Sequence, residues 1–328
     1  MTEIEFLEKF MAEKPIFELL GEYLEKILAE VVRRELKVDE SFFKIPISFR
    51  VKGEDSIIKK AFYRKDKRYT DPYLQITDKI GGRIVVLLEE QVKDVCCVIE
   101  SLSDFTSSKD RDFEKERNAN PEIFLYQSNH YILRNSEDIL YLGTLIPANT
   151  PAEIQIRTLL QHAYSELTHD TIYKPNTAAT PDVKRYVARS MALIEVTDNI
   201  FSKVHESLRY TEKLFAKIKT ELLSLFPKGA TTKYDDEFND HILDAFLTEL
   251  ETYSFEAISK FSKEYSFIFE KINERKTQKY LYHQPVILLI YWLVSIKRKI
   301  VKSKWPLELD SKDLEDIFTD LGYSYDKM

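Results

Sequence analysis

Strand-like spacing in this chain is confined to residues 45–157, and from residue 158 onward every apolar pattern has helical spacing. This boundary limits the fold more than any other feature, because a strand–helix alternation buries its apolar faces in a sheet and an all-helical stretch does not. Ile45-Pro-Ile-Ser-Phe-Arg-Val51 reads as a strand, Asp55 to Arg64 as a helix, and the β-branched run Ile80 to Leu88 as a second strand followed by a helix from Glu90 to Leu102. Residues 106–121, TSSKDRDFEKERNANP, have no apolar period and read as a mobile loop. Three short strands are expected near 129–134, 139–145 and 152–157. The order β-α-β-α-β-β-β gives an α+β fold, a mixed β-sheet flanked by helices.

On the N-terminal side, residues 2–36 look helical. Phe6, Phe10, Phe17, Leu20, Tyr23, Leu24 and Ile27 recur at helical spacing, interrupted by Pro15. On the C-terminal side, helical patterns cover 158–172, 181–226, 236–280 and 284–302, and Pro227 to Lys233 reads as a linker. The expected organisation is therefore N-terminal helices at 1–40, a mixed core at 41–175, a long helical segment and linker at 176–233, and an all-helical C-terminal module at 234–328.

A length of 328 residues suggests about two domains. Apolar residues at 44% and charged residues at 31% are the balance of a soluble globular protein. Only 7 glycines are present, which argues against a phosphate cradle built from glycine. A formal net charge of −7 argues against a general nucleic-acid coat, which needs basic surface. Local basic patches remain, and Lys59, Lys60, Arg64, Lys65, Lys67 and Arg68 form one on a single segment. The two cysteines, Cys96 and Cys97, are adjacent in a helical apolar run and read as small buried hydrophobes in a reducing cytoplasm. The first ten residues are acidic and lack the apolar centre of a signal peptide. The longest apolar run, Pro285 to Ile296, is shorter than the ~20 residues that span a bilayer and reads as a buried helix.

Four strings carry chemistry. Arg50-Val-Lys52-Gly-Glu-Asp-Ser56-Ile-Ile-Lys-Lys60 ends a strand and opens a helix, with Ser56 in the first turn and Lys52 and Lys60 flanking it, an arrangement that suits phosphate. Asp78-Lys-Ile-Gly-Gly82-Arg83 places a carboxylate, a natural magnesium ligand, at the edge of an apolar strand, close to a guanidinium that stacks on bases. Tyr126-Gln-Ser128-Asn-His130 offers a stacking ring and a phosphate- or hydroxyl-binding imidazole. In Glu153-Ile-Gln155-Ile-Arg157-Thr158, alternation puts Glu153, Gln155 and Arg157 on one strand face. Taken singly, each string also fits an ordinary turn, helix or edge strand.

Together and in this order, RxKxxxSIxxK, DxxGxR, YxSxH and EIQIRT resemble the synthetase domain of the RelA/SpoT family, of the small alarmone synthetase or toxic small alarmone synthetase type, over roughly residues 41–175. The resemblance implies a nucleotidyltransferase-like mixed sheet and an ATP-dependent pyrophosphokinase. Such an enzyme transfers pyrophosphate from ATP to the 3′-hydroxyl of a nucleotide, GDP or GTP giving (p)ppGpp. Carried over by position, Asp78 and Glu153 would be catalytic and hold Mg²⁺. Arg50, Lys52, Ser56, Lys60 and Arg83 would bind ATP, with the two arginines sandwiching adenine. Tyr126, Ser128 and His130 would bind the acceptor, and Gln155 and Arg157 would support the site. The chain departs from the pattern at Leu125, where the family has glycine, and at Glu122, where it often has a basic residue; both fall on the acceptor side. Members that modify the 3′-end of tRNA share this core, so tRNA is the alternative acceptor, and a non-catalytic nucleotide sensor is a further alternative.

Family members with a hydrolase domain carry it upstream on histidine–aspartate ligands. Here 40 residues precede the core, and the one His-Asp pair, His169-Asp170, follows it on a helix, so no hydrolase is expected. The expected protein is cytoplasmic and free of membrane contact, with a homo-oligomer left open as its assembly. Its C-terminal module is expected to be structural or regulatory, the regulatory form either covering the nucleotide cleft, with the tail Leu321-Gly-Tyr323-Ser-Tyr325 against the adenine site, or forming a dimer contact. His241 and His283 are lone histidines with a structural role.

Overall fold

A computed structural model describes residues 1–63, 69–122, 124, 128–168, 180–226, 234–307 and 311–325. The chain divides into two compact units, Met1–Val204 and His205–Met328.

The first unit opens with helix α1, Glu3–Leu36, whose start is closed by a capping box between Thr2 and Glu5. The helix runs through Pro15 rather than stopping there. Proline inside a helix costs about 3 kcal/mol. The buried stripe Phe6, Phe10, Phe17, Leu20, Leu24, Leu28 and Val32 lies on both sides of Pro15 and outweighs that cost.

Strand β1 is Ile45–Val51 and β2 is Ile80–Val86; short helices α2, Glu54–Ile58, and α3, Pro72–Gln75, lie between them, with a π-helical turn at Lys59–Tyr63. Helix α4, Glu89–Glu100, follows, then β3, Phe105–Arg111, and α5, Phe113–Ala119. The expected loop at 106–121 is thus a strand and a helix. β3 pairs with β4, Asn129–Asn135, at the edge of the sheet, and its charged residues face outward, which erases any apolar period. Asp112 caps α5 by accepting from the N–H groups of Glu114 and Lys115, and Phe113 anchors the helix in the core.

The expected strand at 139–145 is a hairpin, β5, Ile139–Tyr141, and β6, Thr144–Ile146. Its two-residue turn puts Leu142 at φ 47° and Gly143 at φ 80°, the left-handed pair that tight hairpins require. Strand β7, Pro151–Thr158, completes the main sheet, whose order is β1-β2-β7-β4-β3. Only β2 and β7 run parallel.

Register sorts the sheet into two faces. Gly81, Arg83 and Val85 of β2 stand opposite Glu153, Gln155 and Arg157 of β7; Arg50 and Ser48 of β1 stand opposite Gly81 and Arg83, and His130 of β4 opposite Gln155. The other face carries Ile80, Ile84, Val86, Ile154, Ile156, Tyr131 and Leu133, buried with α1 and α4 in one core. Phe49 packs against this core and lies so close to Gly82 that a larger residue there would collide with its ring, while a Cβ on Gly21 would stand 3.1 Å from the Phe49 Cβ.

Helix α6 is Leu159–Thr168, and the last four residues of the expected 158–172 lie outside the described ones. Helix α7 is Pro181–Leu225. Cys96 is buried as expected, whereas Cys97 is exposed on the outer face of α4.

The second unit is helical throughout its described residues: α8, Asp236–Ala245; α9, Leu247–Leu250; α10, Phe255–Glu264; α11, Phe267–Arg275; α12, Val286–Lys304; and α13, Ser311–Asp320. The single pattern expected at 236–280 is therefore four helices. Buried Phe246 ends one of them, and Ser254 caps α10 through the N–H of Ala257. Every residue from Val286 to Val294 is buried, which accounts for the unbroken apolar run. Arg275 holds Asp320, and Lys279 holds Asp313 and Asp316, so ion pairs fasten α13. Tyr323 and Tyr325 of the tail lie over Arg298 and Lys302 of this same unit, 4.6 Å and 4.0 Å from the cations. His241 and His283 are exposed. The expected linker, 227–233, lies outside the described residues. Among the described residues no helix is long and apolar enough to cross a membrane.

Candidate active site

The polar face of the sheet is the floor of a cleft of about 850 Å³. Arg50, Lys52, Ser56, Asp78, Arg83, Glu153, Gln155 and Arg157 all line it. Three of the four sequence strings thus meet in one place. The parallel pairing of β2 with β7 is what brings Arg83 beside Gln155, and it is a pairing between strands some seventy residues apart.

Asp78 sits at the start of β2 with its side chain only 14% exposed. Its Oδ2 accepts from Lys52 Nζ at 2.8 Å and from Lys60 Nζ, while Oδ1 is buried without a hydrogen-bond partner among the described residues. Burial raises the Asp78 pKa, but Lys52 and Lys60 outweigh burial and hold it below the usual carboxylate value. Burial lowers the pKa of Lys60 despite the nearby Asp78 charge. Lys60 lines a second hollow with Lys52, Ser56, Lys59 and Tyr63.

Glu153 is 17% exposed. Gln155 Nε2 donates to its Oε1 at 2.8 Å, and His130 Nδ1 lies 3.2 Å from the same oxygen. Burial pushes the Glu153 carboxyl up, but His130 and Gln155 together hold it below its ordinary value. Both carboxylates are thus kept in the charged form.

This donor set fits Mg²⁺. The ion takes one or two carboxylates and leaves its other positions to water and substrate phosphate. The buried Asp78 Oδ1, which has no hydrogen-bond partner among the described residues, and the Glu153 carboxylate would be the two. No cluster of three or more His, Cys, Asp or Glu suited to a metal occurs among the described residues.

The acceptor-side residues are less gathered. His130 reaches Glu153, but Ser128 is fully buried and donates to the Ile156 carbonyl, so it ties β4 to β7 and does not face the cleft. Tyr126, with Leu125 and Gln127, lies outside the described residues, as do Arg64, Lys65, Lys67, Arg68 and the His169-Asp170 pair. Glu122 is exposed.

Sequence reasoning missed Ser48, Arg111, Ser165, Glu166 and Thr168, all of which line the cleft. Arg111 ends β3 opposite His130 and forms a two-pronged ion pair with Glu116; the charged stretch around it concealed the strand. Glu166 belongs to α6. Thr158 closes that helix by a capping box with Gln161, so the end of the EIQIRT strand turns at once into a helix beside the cleft. The helical spacing of His162 and Glu166 just after EIQIRT was the available signal.

One cleft on the polar face of this mixed sheet thus holds two charged carboxylates, four lining arginines and a lysine. Residues 49–178, under half of the chain, match the family model described as a region found in RelA / SpoT proteins. Two solved structures share the fold: the small alarmone synthetase 1 from Bacillus subtilis (22% identity, TM-score 0.51) and the same protein bound to its product pppGpp (20% identity, TM-score 0.50). Each comparison covers 62% of this chain and 99% of the other. No curated protein matches the chain in sequence.

Proposed function

We propose that this cleft transfers pyrophosphate from ATP to the 3′-hydroxyl of GDP or GTP. The observation that carries the reading is the meeting of Asp78 and Glu153, both held charged, in one cationic cleft within the segment that matches the RelA/SpoT region. The guanosine acceptor is taken from the likeness to the Bacillus subtilis protein bound to pppGpp.

Arg50 and Arg83 stand diagonally across β1 and β2, since Arg50 pairs with Gly81 and Arg83 with Ser48. Diagonal neighbours lie about 7–8 Å apart, which leaves room for one planar ring between two guanidinium faces. Adenine fills that gap in this reading, and Gly81, with no side chain, leaves the floor open beneath it. Lys52, Ser56 and Lys60 then take the triphosphate, the lysines exchanging Asp78 for phosphate oxygens. The acceptor 3′-oxygen attacks the β-phosphorus, the bond from that phosphorus to the α–β bridging oxygen breaks, and AMP leaves. Lys52 and Arg157 stabilise charge on the leaving side. Glu153, fixed by Gln155 and His130, is placed to accept the hydroxyl proton. Magnesium, when bound by Asp78 and Glu153, supplies Lewis-acid polarisation of the transferred phosphate. Tyr126 stacks on the acceptor base in this reading. The reaction uses soluble nucleotides and suits the cytoplasm.

Incubating the purified chain with ATP labelled in its β- and γ-phosphates, and offering GDP, GTP, ATP or deacylated tRNA, tests the proposal. Label in a guanosine 3′-pyrophosphate with matching AMP release is expected. Label on tRNA alone would replace the acceptor, and nucleotide binding without any transfer would make the protein a sensor.

A further inference from the structure

Glu166 enters the cleft from α6, a helix to which the sequence strings assigned no role. Its Oε1 lies 3.3 Å from Arg83 Nη1. His162, one turn earlier and nearly buried, points Nδ1 to within 3.7 Å of the same oxygen. We propose that Glu166 is the positioning residue for Arg83, holding its guanidinium plane ready for the donor base. The inference rests on the reading of Arg50 and Arg83 as the donor-base pair.

Four features support it. The bond is donated by a terminal nitrogen, whose N–H groups lie in the guanidinium plane, so it uses an edge of the group and not the face that stacks on a base. Arg83 Nε is buried and has no hydrogen-bond partner among the described residues, so the Glu166 contact at the far end fixes how the group is turned. The Glu166 side chain is 59% exposed, and ion pairs this open add only about 0–1 kcal/mol to a fold. Its effect therefore falls on the orientation of a flexible side chain rather than on stability. Burial, then Arg157 and Arg83, lower the His162 pKa, so a neutral imidazole flanks Glu166 and leaves the carboxylate charge to Arg83.

The test uses the full chain with Glu166→Ala and Glu166→Gln. Calorimetric binding of α,β-methylene-ATP, binding of inorganic tripolyphosphate, donor KM, kcat and thermal midpoint are measured for each. Glu166→Ala should weaken α,β-methylene-ATP binding and raise donor KM about three- to tenfold. Its kcat, tripolyphosphate binding and thermal midpoint should stay at wild-type values. Glu166→Gln, which keeps an acceptor oxygen, should restore most of the loss. Wild-type binding of α,β-methylene-ATP by Glu166→Ala overturns the inference and leaves the donor site standing. An equal loss for tripolyphosphate also overturns it, because the effect would then be one of charge and not of the base. Absence of α,β-methylene-ATP binding in the wild type overturns both the inference and the donor-site reading beneath it.

Discussion

Gly82→Ala sets a methyl group against the ring of Phe49. The added Cβ would stand 2.5 Å from both Cδ1 and Cζ of that ring. Phe49 is also held from the side of α1. A Cβ on Gly21 of α1 would lie only 3.1 Å from the Phe49 Cβ, so helix and strand already touch there, and the Phe49 N–H donates to Glu25 at 2.7 Å. Overpacking by one methyl costs about 1–3 kcal/mol, and a site pinned on both sides falls at the upper end. For a unit of this size, each kcal/mol lowers the melting temperature by about 2–4 °C, so the expected drop is about 5–10 °C. Circular dichroism melts of wild type, Gly82→Ala, Phe49→Leu and the double variant form a cycle. The coupling between the two positions should exceed about 1 kcal/mol, because leucine vacates the space that alanine needs. Gly81→Ala is the control: nothing lies within 4 Å of its added Cβ, and its melting temperature should match the wild type. An unchanged melt for Gly82→Ala, or strictly additive effects with Phe49→Leu, would refute the packing argument.

Asp78→Asn and Glu153→Gln should each lower transfer by about 10²–10³, the loss typical of one group acting on a charged transition state, while the protein stays folded; near-wild-type turnover in either variant would defeat the site assignment. Asp198 gives a pH signature. It is fully buried and accepts from Thr158 Oγ1 at 2.8 Å, and burial pushes its carboxyl from 3.8 up to about 6. Between these values the folded state keeps a proton that the unfolded state releases, so stability falls as pH rises toward about 6 and the penalty is complete above it. Asp198→Asn keeps the acceptor for Thr158 without a charge to bury, and should stabilise the protein by about 1–3 kcal/mol at pH 7.5 and not at pH 4. Equal denaturation midpoints for variant and wild type at pH 7.5 would contradict it.

Wherever a segment has one buried face, the chain announces its own structure. β1, β2, α4, β4 and β7 were legible because their apolar residues repeat with the period of the element, and EIQIRT showed its polar face by alternation alone. Asp78, Glu153, Arg50, Arg83 and Arg157 were legible for a different reason: they fall within short strings whose chemistry is local. Segments whose structure depends on a distant partner were not legible. β3 is an edge strand with charges outward, so only its pairing with β4 makes it a strand, and Arg111 stayed hidden with it. Pro15 would break an isolated helix, but α1 persists because its buried stripe packs on the core. The breaks among α8 to α11 fall within a continuous helical pattern and follow from how those helices bury Phe246, Ile258, Phe261 and Ile268. The pairing of Lys52 and Lys60 on Asp78 and of Glu166 on Arg83 joins residues 18 to 83 positions apart. Local spacing encodes which face of an element is buried; it does not encode which elements become neighbours, and that choice, made by the sheet order and the parallel β2–β7 register, built the cleft.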